Sequence, residues 1–276
     1  MIGLCTDSNS QLPTALADRF GVEVVPITVT IDDADYLEGV DLDADGFYAK
    51  FDLGRAPVVT TSQPSPGQFA VAYDALVARG ATEILSIHVG ASVSGTLNSA
   101  RLAARTVAVP VRLVDSTTAS FGISCCVWAA AMAIESGASI DDAAKVAETL
   151  APQIGNVFIV GGLDLMRAGG RGGNALSTIN VADGIPVLSL ADGQVKVVGR
   201  ARSIVEAVEV MAGYVLSGVI PGRIAVGVAD RHTTPIADAL ETALVAAPSV
   251  IEVVRYRVGP SVGVHTGPGT AGAFWF

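Results

Sequence analysis

Short apolar runs alternate with longer amphipathic stretches through the first half of the chain. Residues 2–6 and 83–89 are near-continuous apolar runs, the pattern of strands buried on both faces. Residues 22–31 are rich in β-branched side chains and read as a further strand, and 109–114 as another. Between them lie helical patterns: one from Ser10 or Thr14 to Phe20, stopped by Gly21; one over 66–79, stopped by Gly80; one over 98–106; one over 120–135, stopped by Gly137; and one over 140–150 capped by Ser139. Strand–helix alternation of this kind predicts an α/β fold with a doubly wound parallel sheet over residues 1–153.

The second half has a different rhythm. Residues 157–160 read as a strand and 163–168 as a short helix. Two strands, 185–190 and 194–198, flank Ala191-Asp192-Gly193 as a hairpin. Helices are expected over 203–216 and 234–246, and strands over 223–229, 250–257 and 261–265, the last bringing His265 to a strand end. Hairpins mixed with helices predict an α+β domain with a mixed or antiparallel sheet over residues 154–276, joined to the first domain near Pro152.

In parallel sheets ligands bind beyond the carboxyl ends of the strands. The stretch Gly90-Ala91-Ser92-Val93-Ser94-Gly95-Thr96 follows the 83–89 run and precedes a helix, so it stands at such a place. Helix-start N–H groups and the helix dipole favour an anion there, with Ser92, Ser94 and Thr96 as hydroxyl donors. The competing account makes Ser92 or Ser94 an ordinary N-cap. Asp7-Ser8, Thr61-Ser62 and Asp115-Ser116 lie at equivalent strand ends or helix entries, and their convergence favours a site over capping alone.

Composition narrows the classes. Half of the 276 residues are hydrophobic but only 5% are aromatic, so the core must rest on Val, Ile, Leu and Ala. The net charge of −10 argues against nucleic acid or an anionic membrane surface as partner. Three cysteines, two of them adjacent in an Ala-rich apolar stretch, do not make a disulfide framework, and no Cys/His spacing suggests a metal. The apolar stretch 123–134 is too short to span a bilayer, and the start lacks a basic leader, so a cytoplasmic protein without stable membrane insertion is expected.

Several motifs fail their context tests. Gly170-Arg171-Gly172-Gly173-Asn174-Ala175 matches a dinucleotide fingerprint in letters but follows a helix instead of a strand. Seven acidic residues between Asp32 and Asp45 lack EF-hand spacing and read as a solvated loop. Gly90-x-Ser92-x-Ser94 lacks the second glycine of a nucleophile elbow. His88 lies inside an apolar run and reads as structural, and His232 sits in a polar loop facing solvent. His265 precedes Thr266-Gly267-Pro268-Gly269, a turn signature that is compatible with either a turn or a site role.

Seven segments occur in one order: Thr6-Asp7-Ser8, Thr61-Ser62-Gln63-Pro64-Ser65, Ser92-Val93-Ser94-Gly95-Thr96, Asp115-Ser116, Gly169-Gly170-Arg171, Arg200-Ala201-Arg202-Ser203 and His265-Thr266-Gly267-Pro268-Gly269. Together they span nearly the whole chain and resemble the DegV family of bacterial fatty-acid-binding proteins. The resemblance implies one long-chain fatty acid in a tunnel between the two domains, no other cofactor, and no catalysis by the chain itself. It implies a role as the binding subunit of a fatty acid kinase, which converts the bound carboxylate to an acyl phosphate for phospholipid synthesis. Fatty-acid contacts would come from Thr61, Ser62, Ser94, Gly95, Thr96 and His265, with Thr61 and Ser94 on the carboxylate. Arg171 and Arg202 would face the kinase or the transferred phosphoryl group. The family's Ile-Lys-Pro segment stands here as Gly184-Ile185-Pro186, without the lysine, and the Gly-Gly-Arg turn continues as Gly172-Gly173.

A fatty acid needs an apolar tunnel and a few polar donors. Each buried methylene contributes about 0.8 kcal/mol, and the carboxylate cannot be buried without donors. Two rival classes remain: a serine hydrolase or esterase using Ser94, His265 and Asp115, and a small-anion-binding regulatory module.

Overall fold

The computed structural model describes residues 1–276 except 54, 171–178, 180–183, 192–193 and 219–221. The chain forms two compact units, Met1–Leu42 with Val58–Gln153, and Asp43–Pro57 with Ile154–Phe276.

In chain order the first unit carries β1 (Ile2–Asp7), α1 (Thr14–Phe20), β2 (Val22–Val25), β3 (Thr28–Ile31) and β4 (Ala34–Leu37). Helix α2 (Ala44–Ala49) belongs to the second unit, after which the first resumes with β5 (Val59–Ser62), α3 (Pro66–Ala78), β6 (Glu83–His88) and α4 (Thr96–Ala103). It ends with β7 (Val111–Asp115), α5 (Phe121–Glu135) and α6 (Ile140–Leu150). A parallel sheet in the order β2-β1-β6-β7 forms its centre, with Cys5 opposite Ser86 and His88 opposite Asp115. Successive strand residues point to opposite faces. Cys5 and Ile84 therefore meet Phe69, Tyr73 and Leu76 of α3 and Ala100 of α4 on one face. Leu4, Leu85 and Ile87 are buried on the other, where α5 and α6 pack. This is the doubly wound α/β arrangement that the alternating pattern predicts.

Three features of the first unit differ from the expectation. The β-branched run 22–31 is two strands in two sheets, because Pro26 has no N–H for a ladder. The acidic run is not a plain loop. Asp32 and Asp33, with φ of 45° and 69°, make the two-residue turn of a β3–β4 hairpin, and Asp43 caps α2 by accepting the Gly46 N–H at 2.7 Å. β5 joins the far side of β3, giving an antiparallel sheet β4-β3-β5 in which Thr61 lies opposite Val29. Finally, α1 has Pro13 at its cap and no side-chain cap, while Ser10 is buried in a short 3₁₀ turn, Ser8–Ser10.

The second unit continues with β8 (Gly155–Ile159), α7 (Leu163–Gly169), β9 (Ile185–Ala191), β10 (Gln194–Ala201), α8 (Ile204–Gly218), β11 (Gly222–Val228), α9 (Thr234–Val245), β12 (Val250–Arg257), α10 (Pro260–Thr266) and β13 (Ala271–Trp275). Its sheet runs β10-β9-β8-β13-β11-β12, antiparallel throughout except for the parallel β11–β12 pair. Met211 and Val215 of α8 and Leu240 and Leu244 of α9 cover one face, over Val157, Val187, Val226 and Trp275. Leu163 and Met166 of α7 cover Leu188 and Val195 on the other. Helix α2 is tied in by Tyr48, whose hydroxyl donates to the Val258 carbonyl at 2.9 Å, and by the Arg257–Asp45 ion pair.

Residues 261–265, expected as a strand, are helical. Pro260 sits in the first helical turn after Gly259, where its fixed φ and missing N–H suit a helix start, and this outweighs the strand preference of Val262 and Val264. The true strand is the glycine-containing β13, which comes after the Gly-Pro-Gly turn. The tip of the β9–β10 hairpin, Asp192-Gly193, lies outside the described residues. Among the described residues no helix is long and apolar enough to cross a membrane.

Candidate functional site

The end of β5 and the start of α4 come together in the first unit. Gln63 follows β5 directly, and its Nε2 donates to Ser99 Oγ of α4 at 3.0 Å. Its carboxamide lies over Gly95: a Cβ on Gly95 would fall 1.9 Å from Gln63 Oε1. Thr61-Ser62 and Ser94-Gly95-Thr96, two segments about thirty residues apart in sequence, are thus held to one another by a side chain for which sequence patterning provides no separate signal. Thr61 is half-buried and Ser62 exposed.

Capping does not consume these hydroxyls. Ser65 is the cap of α3, in a reciprocal capping box with Gln68. At α4 the N-cap is Gly95, which has no side chain to cap with. Ser94 Oγ lies 2.9 Å from Thr96 Oγ1 and accepts the Thr96 N–H at 3.3 Å, while Thr96 is buried and Ser94 half-buried. A helix start with its positive dipole end and two adjacent hydroxyls can donate hydrogen bonds to carboxylate or phosphate oxygens.

Beneath this turn runs a fully buried polar chain. Asp7 Oδ2 lies 3.0 Å from His88 Nδ1, His88 Nε2 lies 2.6 Å from Ser86 Oγ, and Ser86 Oγ lies 2.9 Å from Tyr73 Oη. Phe69 packs edge-on against the imidazole. His88 is therefore structural, as expected, but is satisfied by Asp7 rather than merely surrounded by apolar groups. Desolvation pushes the Tyr73 hydroxyl and the Cys5 thiol well above their ordinary pKa values.

In the second unit His265 is half-buried in the last turn of α10. The turn after it is tightly specified. Buried Asp230 accepts the Gly269 N–H at 2.6 Å through Oδ2, and the His232 and Thr233 N–H groups through Oδ1. Thr270 Oγ1 donates to the Gly267 carbonyl, and a Cβ on Gly161 would stand 1.9 Å from the Pro268 carbonyl oxygen. Asp230 has no signal in the sequence, because one acid in a polar loop carries no pattern. His232 is exposed.

Arg202 is exposed just before α8, where its backbone N–H donates to Glu206 Oε2 at 2.7 Å. Arg171 lies outside the described residues. Asp115 Oδ1 accepts the N–H groups of Ala91 and Thr117, at 3.2 and 2.8 Å.

A family model described as "Uncharacterised protein, DegV family" matches residues 1–276. The chain belongs to the DegV family. DegV domain-containing proteins of Streptomyces coelicolor and Deinococcus radiodurans are each 33% identical to it, over 98% of this chain and 96% of theirs. Among solved structures, one described as showing fatty acid binding of a DegV family protein from Thermus thermophilus matches with a TM-score of 0.90 and 32% identity, covering 100% of this chain and 99% of that one. The Bacillus subtilis DegV structure, described as a fatty acid binding protein, shares the fold with a TM-score of 0.85 at 24% identity, covering 99% and 98%. This DegV chain thus keeps the family's architecture from end to end.

Proposed function

We propose that this DegV protein binds one long-chain fatty acid and presents its carboxylate to a partner kinase in the cytoplasm. The observation that carries the binding step is the Gln63-held pairing of the Thr61-Ser62 strand end with the Ser94-Gly95-Thr96 helix start. A carboxylate needs several donors to leave water. In this reading Thr61 and Ser94 donate to it, with Ser62, Gly95 and Thr96 around it and His265 of the second unit beside it. The resemblance to the Thermus thermophilus protein at 32% identity supports the ligand class. In this reading the acyl chain takes an apolar tunnel, and about 0.8 kcal/mol per buried methylene makes it the larger share of the affinity.

The kinase step rests on the family resemblance of the Gly-Gly-Arg and Arg-Ala-Arg-Ser segments, with Arg171 and Arg202 as the groups that meet the kinase or the phosphoryl group. Arginine suits that task because its planar fork pairs with phosphate or carboxylate oxygens in bidentate fashion. The chain itself is not the catalyst in this reading. Ser94 Oγ is bonded to Thr96, and Asp115 Oδ1 is committed to backbone N–H groups, which favours a binding role over a hydrolase triad.

Mass spectrometry of an organic extract, together with native mass spectrometry of the purified protein, tests the reading. A copurified long-chain fatty acid near one-to-one is the expected result. Ligand-free protein that takes up neither palmitate nor oleate would overturn it.

A further inference from the structure

Three consecutive backbone N–H groups leave β6 toward the Ser94 turn, and each is taken by a fixed acceptor. Val89 N–H donates to Asp7 Oδ2 at 3.0 Å, Gly90 N–H to the Thr118 carbonyl at 2.8 Å, and Ala91 N–H to Asp115 Oδ1 at 3.2 Å. The two carboxylates come from the last residues of β1 and β7, the strands on either side of β6. The Ser94 turn hangs on this anchor, since the Gly90 carbonyl accepts the N–H groups of both Val93 and Ser94, at 2.9 and 3.1 Å.

Each carboxylate is itself held. Asp7 Oδ1 accepts the Asn9 N–H, and Asn9 Oδ1 in turn accepts the Ser120 N–H at the start of α5. Asp115 Oδ1 accepts the Thr117 N–H. Along the buried chain His88 Nδ1 meets Asp7 Oδ2, and Ser86 Oγ bridges His88 Nε2 and the Tyr73 hydroxyl. These buried contacts hold the Asp7 carboxylate against β6.

We propose that Asp7 and Asp115 are positioning residues for the head-group site: they clamp the Val89–Ala91 backbone from both sides and so set the place of Ser94 and of the α4 start. The inference rests on the fatty-acid reading above. It gives the Thr6-Asp7-Ser8 and Asp115-Ser116 segments a task that neither capping nor direct ligand contact supplies.

The substitutions separate acceptor from charge. Asp115→Asn keeps an Oδ1 acceptor, whereas Asp115→Ala removes it. Asp7→Asn leaves one acceptor oxygen where Asp7 has two, so its NH2 must face either the Asn9 N–H or the His88 Nδ1 and the Val89 N–H. Affinities of delipidated wild type and variants are compared for myristate and for 1-tetradecanol, which share the chain and differ in the head group. Asp115→Ala should weaken myristate by between about three- and tenfold and leave tetradecanol unchanged, while Asp115→Asn keeps wild-type affinity for both. Asp7→Asn should lose more myristate selectivity than Asp115→Ala; should it fail to fold, the Asp115 pair decides alone. A myristate-to-tetradecanol ratio unchanged in Asp115→Ala would overturn the proposal, as would an Asn variant as weak as the Ala variant. Wild-type protein that binds no myristate would overturn the fatty-acid reading itself, and this inference with it.

Discussion

Gln63 Nε2 donates to Ser99 Oγ at 3.0 Å, and its carboxamide fills the space that a side chain on residue 95 would need. The glycine at the α4 cap is thus required by the strand end that packs on it. Gly95→Ala should displace Gln63 and break its bond to Ser99, loosening the fit between the two hydroxyl-bearing segments. The lost hydrogen bond is worth about 0.5–1.5 kcal/mol, a several-fold weaker fatty-acid affinity. Isothermal titration of delipidated protein checks this; Gln63→Ala should weaken binding similarly, whereas an unchanged affinity in both would separate Gln63 from the site.

Thr61 and Ser94 are the proposed donors to the carboxylate. The double change Thr61→Ala with Ser94→Ala should weaken binding without unfolding the protein, since one side chain is half-buried on a short strand and the other is in a turn. Hydrogen bonds to a charged group contribute about 1.5–3 kcal/mol each. The acyl-chain contribution remains, so residual binding is expected. Equal affinity in wild type and double mutant would put the head group elsewhere.

The parallel sheet is legible in the sequence because β1, β6 and β7 are short apolar runs each followed by a helix, and Gly21 and Gly137, which stop the helices after β1 and β7, take positive φ. The small antiparallel sheet is not. Its hairpin turn, Asp32-Asp33, is concealed within an acidic run, and Pro26 is a single break in an otherwise β-like stretch. Helix α10 reads as a strand because Val-Gly-Val-His has strand propensity, while the deciding feature, Pro260 in the first turn, acts from just outside that stretch. Ser94 and Thr61 stand out as hydroxyls at strand ends. Gln63 and Asp230 do not, because their role is to hold a segment distant in sequence, and that relationship exists only after folding.

The Gly-Pro-Gly turn after His265 leaves no room at Gly161. Gly161→Ala would drive a methyl group into the Pro268 carbonyl, and neither backbone can retreat while Asp230 holds the Gly269 N–H. Overpacking of this kind costs about 1–3 kcal/mol. Urea denaturation should show a lower midpoint, with fatty-acid affinity falling through displacement of His265. Wild-type stability in this variant would mean that the turn is not rigid.

The buried thiols set an alkaline limit. Burial pushes Cys126 up from an ordinary value near 9 to about 12, and Cys125 and Cys5 also rise through desolvation. Unfolded thiols release protons from about pH 9, while the folded ones keep theirs. The unfolded state gains as pH rises through that window, and stability should fall between about pH 9 and 12. Urea midpoints measured across this range check the sign, and Cys126→Ala should make the decline shallower. A flat profile would mean that the thiols are not desolvated in solution.

Binding and presentation should separate at Arg202. Its side chain is exposed just before α8, with its backbone N–H bonded to Glu206, so removing the guanidinium leaves the helix start intact. An exposed arginine adds nothing to the burial of an acyl chain, which supplies most of the affinity. It is instead suited to pair with phosphate oxygens or with carboxylates of a partner. Arg202→Ala is therefore expected to keep fatty-acid occupancy and to reduce acyl phosphate formation when a cognate kinase and ATP are added. The family resemblance extends the same expectation to Arg171→Ala. The comparison is lipid occupancy by native mass spectrometry against kinase-dependent phosphorylation, variant by variant. Occupancy lost in parallel with phosphorylation would move these arginines into the head-group site, and phosphorylation at the wild-type rate would remove them from the kinase contact.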